Sequence, residues 1–256
     1  MRHALLITYD GTDFAGWWRQ PGRRTVAGVF DEAFLRIGEA QAQVVGASRT
    51  DAGVHAQGQV AHVTTSRPWA ARDLRHALGD HLPTDAACRE VVAVADGWDA
   101  CRDAVAKTYR YTIDHGEVPD PFLARFAWRP PFRLDPDRLQ EAARDIAGER
   151  DWSGFARRGE TRHLDGDLIR RIDRVAWSVA GPRLCCEVTG GGFTYRLVRS
   201  LVGAMVAVAN GTCSGADLAA ALAGQDVPAG HQQAPARGLA LMGVAYPTTL
   251  FTVSTS

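Results

Sequence analysis

Residues 46–60 read GASRTDAGVHAQGQV, a short loop between two apolar, strand-like runs, with Arg49-Thr50-Asp51-Ala52-Gly53 at its centre. One carboxylate, Asp51, stands between an arginine and a glycine. On a tight loop it suits nucleophilic attack, because it can face a substrate while a neighbouring cation keeps it ionised. Asp and Gly are also what a plain turn selects, for conformational reasons alone. From Asp51 and Gly53 by themselves both readings stand.

Outward from this loop the pattern is that of helices packed on sheet. Leu5 to Tyr9 reads as a strand, and Thr25 caps a helix whose Val26, Phe30, Ala33, Phe34 and Ile37 fall at helical spacing. Val44-Val45 leads into the loop, and the run from Gly58 to Thr65 leaves it as a second strand. A helix around Leu74 to Leu78 precedes Pro83, and Val91 to Val94 closes the first half.

In the second half Tyr109, Tyr111 and Ile113 alternate against Arg110 and Thr112, the period of a two-faced strand. Asp135 is a good N-cap with Pro136 at the first helical position, and Leu134 and Leu139 are placed for a hydrophobic staple. Gly148 is the expected stop of that helix. Val175, Trp177 and Val179, a turn at Gly181-Pro182, and Leu184, Cys186 and Val188 describe a hairpin. After the glycines at 190 to 192 a helix is expected from about Tyr195 to Ala209, stopped by Asn210-Gly211.

The expected fold class is therefore α+β, with two related α/β halves and mostly antiparallel mixed sheets. The expected domains are 1–100, carrying the aspartate loop, and 101–256. At 256 residues and 46% hydrophobic content the chain can bury a proper core. No apolar run approaches a membrane span and the start lacks the regions of a signal peptide, so the expectation is a cytoplasmic protein with no membrane contact. The five cysteines contain no CxxC pair and the eight histidines no HExxH or ligand spacing, so no metal is assigned.

The formal net charge is zero, which argues weakly against a nucleic-acid partner, but distribution matters more than the sum. Lys107 is the single lysine. The arginines gather in Arg19/Arg23/Arg24, Arg157/Arg158/Arg162 and Arg170/Arg171/Arg174. Such groups either line one phosphate-binding groove, which the planar guanidinium suits, or are solvated faces set by the composition of the source genome.

The string GxxRTDAGVHAxGQV closely resembles the catalytic motif of the TruA family of tRNA pseudouridine synthases. Further matching residues are Tyr9-Asp10-Gly11-Thr12, Phe14, Gly16-Trp17, Arg19-Gln20-Pro21, Arg24-Thr25-Val26, Leu82-Pro83, Lys107-Thr108-Tyr109-Arg110-Tyr111, Phe193 to Arg199, Leu201-Val202-Gly203 and Ala234 to Leu239. The resemblance implies a pseudouridine synthase fold, its two halves joined around a central basic cleft. It implies isomerisation of uridine in the anticodon stem-loop of tRNA, at nucleotides 38 to 40, by a homodimer.

By the same resemblance Asp51 is the nucleophile, Tyr109 stacks on the uracil, Arg199 pairs with Asp51, Arg49 supports the flipped nucleotide and Leu239 floors the uracil pocket. Arg19 and Arg24 are candidate phosphate contacts. The reaction breaks N1–C1′ and makes C5–C1′ with no electron or group imported, so no cofactor is expected. Pattern alone also allows Tyr109 to be a half-buried sheet aromatic and Arg199 to form a structural ion pair. His55 and His62 are expected to be structural.

The chain departs from the family pattern at Trp18, where glutamine is usual, at Ala27, at Trp98 to Asp103 and at Arg196. Two other readings are open. The run before Asp10-Gly11-Thr12 resembles the haloacid dehalogenase phosphatases, but Thr8 stands where their nucleophile is needed. A catalytically silent tRNA-binding or RNA-chaperone protein would keep the RNA surface without turnover.

Overall fold

The computed structural model describes residues 1–155, 168–227 and 231–252. The arginine group Arg157, Arg158 and Arg162 lies outside them. The fold is mixed α/β with largely antiparallel strands, and it divides into two compact units, residues 1–107 with 240–256, and residues 108–239. Residues 101–107 and 240–256, placed with the second half by the sequence reading, thus belong with the first.

The first unit contains strands β1 (Arg2–Tyr9), β2 (Val45–Gly46), β3 (His55–Thr64), β4 (Ala86–Val94) and, from Ala240 on, the late strand β9 (Leu239–Ala245), with helices α1 (Val26–Arg36) and α2 (Ala71–Gly79). The strand order is β4-β1-β3-β9, with β2 paired to β3. β1 runs antiparallel to both β3 and β4, while β9 joins β3 in parallel through His55 opposite Ala240 and Ala56 opposite Leu241.

Helix α1 forms as its spacing requires. The Thr25 hydroxyl accepts from the Gly28 N–H at 3.3 Å, and Val26, Ala27, Phe30, Ala33 and Phe34 are buried on one face. A fully buried Phe is worth roughly 1.5–3 kcal/mol over an exposed one, so Phe30 and Phe34 anchor the helix.

A buried acid holds the far end of this unit. Glu39 accepts hydrogen bonds from the Ser66 N–H at 2.7 Å and hydroxyl at 2.8 Å, from the Arg67 N–H at 3.2 Å and from the Trp69 indole at 2.9 Å. The loop after α1 is thereby tied to the loop after β3.

The second unit takes in β5 (Ala106–Asp114), β6 (Gly148–Asp151), β7 (Ile169–Ala180) and β8 (Arg183–Gly190), in the order β5-β8-β7-β6, with helices α3 (Pro136–Ala143), α4 (Leu197–Ala209) and α5 (Gly215–Leu222). In β5 the alternation is borne out, for Tyr109, Tyr111 and Ile113 are buried and the residues between them less so. β7 and β8 form the expected hairpin, with Gly181 at φ 59 in its turn.

Three boundaries differ from expectation. Helix α3 ends at Ala143, and Gly148, at φ 129, opens β6 instead of closing a helix. Helix α4 starts at Leu197, because Arg196 sits in the left-handed region at φ 58 and cannot belong to it. Helix α5 was not anticipated, although Ser214 and Asp217 make a capping box and Leu218, Ala221 and Leu222 form its buried face.

Candidate active site

Asp51 stands on a loop fixed from below by the segment after β1. The Trp17 N–H donates to the Thr50 carbonyl at 3.0 Å, the Gly53 N–H to the Phe14 carbonyl at 3.3 Å, and the Val54 N–H closes a turn on the Asp51 carbonyl at 3.1 Å. From the strand side, the Gln59 amide brackets Ser48, accepting from its N–H at 3.3 Å and donating to its carbonyl at 2.7 Å. Thr50 points inward, its hydroxyl 2.7 Å from the Tyr9 phenol.

Glycine is required where these two segments touch. A Cβ on Gly11 would fall 2.0 Å from the Val54 carbonyl oxygen, and one on Gly46 would fall 2.5 Å from the Trp17 ring. Gly53 carries φ 78, which lets the chain turn directly after Asp51-Ala52. Within the loop Thr50 is buried, Arg49 exposed and Asp51 half-buried. Rigid support of this kind keeps a reactive side chain in place without cost at the moment of reaction.

The sequence candidates in this unit have distinct surroundings. The Arg49 guanidinium lies over the Trp18 ring, 5.1 Å from its centroid, and has no carboxylate partner among the described residues. Arg19 is bound to Asp31 through Nε and, at 2.6 Å, through Nη2, and also donates to the Val44 carbonyl. Arg24 makes a two-pronged pair with Asp85, both bonds 2.8 Å, and covers the Phe14 ring at 4.1 Å. Both of these candidate phosphate contacts are therefore charge-paired.

His55 and His62, expected to be structural, are both buried and bonded to backbone. His55 Nδ1 accepts from the Gly11 N–H at 3.0 Å, and His62 Nδ1 from the Ala100 N–H at 3.0 Å. Burial lowers the His62 pKa, against the raising influence of Asp99. Asp10, the acid of the DGT run, accepts from the N–H and hydroxyl of Thr12 and so closes a turn.

Tyr109, Arg199 and Leu239 belong to the second unit. Tyr109 is 6% exposed and meets Phe193 edge-on at 5.1 Å. Arg199, in the first turn of α4, donates from Nε to the Ala234 carbonyl at 2.9 Å, while the Ala234 N–H donates to the Arg199 carbonyl at 3.1 Å. The Gln233 amide reaches the Ser200 hydroxyl at 3.1 Å. Gly203 lets the two segments close up, since a Cβ there would meet the Gln232 carbonyl oxygen at 2.0 Å.

The segment so clamped continues to Leu239, which is 5% exposed. Gly238 packs on the Tyr111 ring, leaving no room for a side chain, and the Tyr111 phenol donates to the Pro235 carbonyl at 2.8 Å. Burial raises the Tyr111 pKa well above its ordinary value, although Arg199 and Arg237 oppose the shift. Tyr111 is thus a neutral buried donor, and Tyr109 is its neighbour on the same strand face.

Comparison with known proteins shows the family. A model of the tRNA pseudouridine synthase family matches residues 5–101 and 142–247. The chain belongs to that family. Curated relatives called tRNA pseudouridine synthase A include one from Brevibacillus brevis, 36% identical over 96% of this chain and 99% of the relative, and one from Azorhizobium caulinodans, 39% identical over 96% and 95%. A third, from Xanthobacter autotrophicus, is 38% identical over 96% of the chain and 99% of its own length.

Membership makes the protein an isomerase of the pseudouridine synthase class and fixes the reading of its fold. The sequence reading named Tyr9, Gly11, Gly16, Trp17 and Gln59 as part of the family pattern, without the support that they give the Asp51 loop. The signal was present in the glycines and aromatics of Tyr9 to Trp17, which have no periodicity of their own.

Proposed function

We propose that the protein converts uridine to pseudouridine in the anticodon stem-loop of tRNA, at nucleotides 38 to 40, with Asp51 as the nucleophile. The observation that carries this reading is the Asp51 loop itself, a half-buried acid on a turn held by Trp17, Phe14 and Gln59. In this reading the carboxylate attacks the uridine and the N1–C1′ bond breaks, the uracil turns in place, and C5 joins C1′; the bond to the carboxylate breaks again, the C5 hydrogen leaves to water as a proton and N1 takes one up. No cofactor enters the balance.

Tyr109 is assigned to the face of the uracil, which must leave the stack before it can react. Leu239 is assigned to the floor of its pocket. Arg199, oriented by Ala234, is assigned to pair with Asp51 and keep it ionised as the base seals the site. Arg49 is assigned to the flipped nucleotide. Arg19 and Arg24, already neutralised by Asp31 and Asp85, come second to Arg49 as phosphate contacts.

The same reading makes the protein a cytoplasmic homodimer. Phe122, 88% exposed, and Phe126, 44% exposed, offer apolar surface for a second copy. Absence of a membrane-spanning helix among the described residues accords with a tRNA substrate.

The test is tritium release from tRNA labelled at uridine C5, comparing the intact protein with Asp51→Asn. Release by the first and none by the second is expected. Tight tRNA binding without release by the intact protein would favour the silent RNA-binding role instead.

A further inference from the structure

Trp18 stands beside the Asp51 loop with 47% of its surface exposed, whereas Trp17 next to it is 1% exposed. A lone exposed apolar residue needs no explanation, but this indole has two further features. The residue before it is anchored at both of its backbone groups, the Trp17 N–H on the Thr50 carbonyl and the Trp17 carbonyl accepting from the Ala27 N–H of α1, both at 3.0 Å. Two guanidiniums also lie near its ring, Arg49 at 5.1 Å and Arg19 at 5.9 Å from the centroid.

The two arginines are not equivalent. Arg19 is held in place by Asp31 and the Val44 carbonyl. Arg49, two residues from Asp51, has the indole as its neighbour and no carboxylate among the described residues. An exposed aromatic side chain with cations beside it is the chemistry by which proteins hold unpaired nucleotides, the ring taking a base and the cations the backbone.

We propose that Trp18 is a stacking platform for a nucleobase adjoining the target nucleotide, with Arg49 passing from the indole to an RNA phosphate when that base arrives. This rests on the function proposed above. It adds a substrate contact at one of the positions where the chain departs from the family pattern. A protein partner is the weaker occupant, because flanking guanidiniums favour an anionic chain over an apolar one.

The experiment measures binding of an unmodified anticodon stem-loop RNA, and release of C5 tritium from it, for the intact protein, Trp18→Gln and Trp18→Phe. Trp18→Gln should bind roughly 5- to 100-fold more weakly, the range for loss of one base–aromatic stack, with the loss showing in KM more than in kcat. Trp18→Phe should recover most of it. RNAs carrying one abasic sugar at each loop position in turn supply the decisive comparison. One of them should weaken binding by the intact protein and leave Trp18→Gln indifferent, the signature of a direct pair.

Equal binding by Trp18→Gln and the intact protein would overturn the proposal, as would abasic RNAs that weaken both proteins alike. If the intact protein neither binds the RNA nor releases tritium, the proposed function fails and this contact with it. Release by the intact protein with an unaltered Trp18→Gln would overturn the contact alone.

Discussion

The Tyr9 phenol and the Thr50 hydroxyl lie 2.7 Å apart in a buried hydrogen bond, so the residue before Asp51 is tied to a strand 41 positions earlier in the chain. Tyr9→Phe keeps the ring and removes this bond, leaving a buried hydroxyl that needs another partner. The cost should be about 1–2 kcal/mol of stability. Turnover should fall several-fold as the loop loosens, and urea denaturation with tritium release measures both. Unchanged turnover in a destabilised variant would show that the bond supports the fold and not the loop.

The contact between Gly46 and Trp17 gives a sharper lever. Gly46→Ala places a methyl 2.5 Å from the indole, which must move and take the Trp17 N–H away from Thr50. Overpacking of this kind costs roughly 1–3 kcal/mol. If Asp51 is the nucleophile as proposed, activity should drop more than stability implies, because the displaced bond supports its loop. Gly22→Ala, where nothing lies within 4 Å of the added methyl but φ is 68, is a control for backbone strain without a clash.

Glu39 should make the protein acid-sensitive in a narrow range. Burial alone would raise its pKa, but the hydrogen bonds from Ser66, Trp69 and Arg67 outweigh that and lower it from 4.5 to about 2. A folded pKa below the unfolded one means the stabilisation is complete above pH 4.5 and is lost as pH falls to 2. The shift corresponds to about 3 kcal/mol. Denaturation midpoints measured from pH 6 to pH 2.5 should decline steeply below 4.5, and Glu39→Gln should be less stable at pH 6 with a shallower decline.

Salt dependence separates the arginines. If Arg49 contacts a phosphate, Arg49→Ala should weaken RNA binding and reduce the slope of log affinity against log salt by about 1. Arg24→Ala should leave that slope nearly unchanged. The partly exposed pair with Asp85 should cost no more than about 1 kcal/mol in stability. A larger slope change for Arg24 than for Arg49 would reverse their assigned ranking.

Much of the fold was legible because its signals are local. Thr25 capping α1, the alternation of Tyr109, Tyr111 and Ile113, and the hairpin around Gly181 each follow from neighbours within a few residues. The end of α3 was misread because Gly148 has the same sequence meaning whether it stops a helix or enters a strand. Helix α4 begins late because Arg196 adopts a left-handed backbone that a non-glycine residue seldom takes.

The sequence by itself determined the aspartate loop, the family and most of the secondary structure, since motif spacing and side-chain period are carried by short stretches of chain. Tertiary structure alone decided that the last strand folds with the first unit. It also decided that Arg19 and Arg24 are paired with Asp31 and Asp85, and that Trp18 remains exposed near two guanidiniums while Trp17 is buried. The physical reason is distance along the chain. Asp85 lies 61 residues from Arg24, and no local pattern records which carboxylate a guanidinium meets once the backbone has folded.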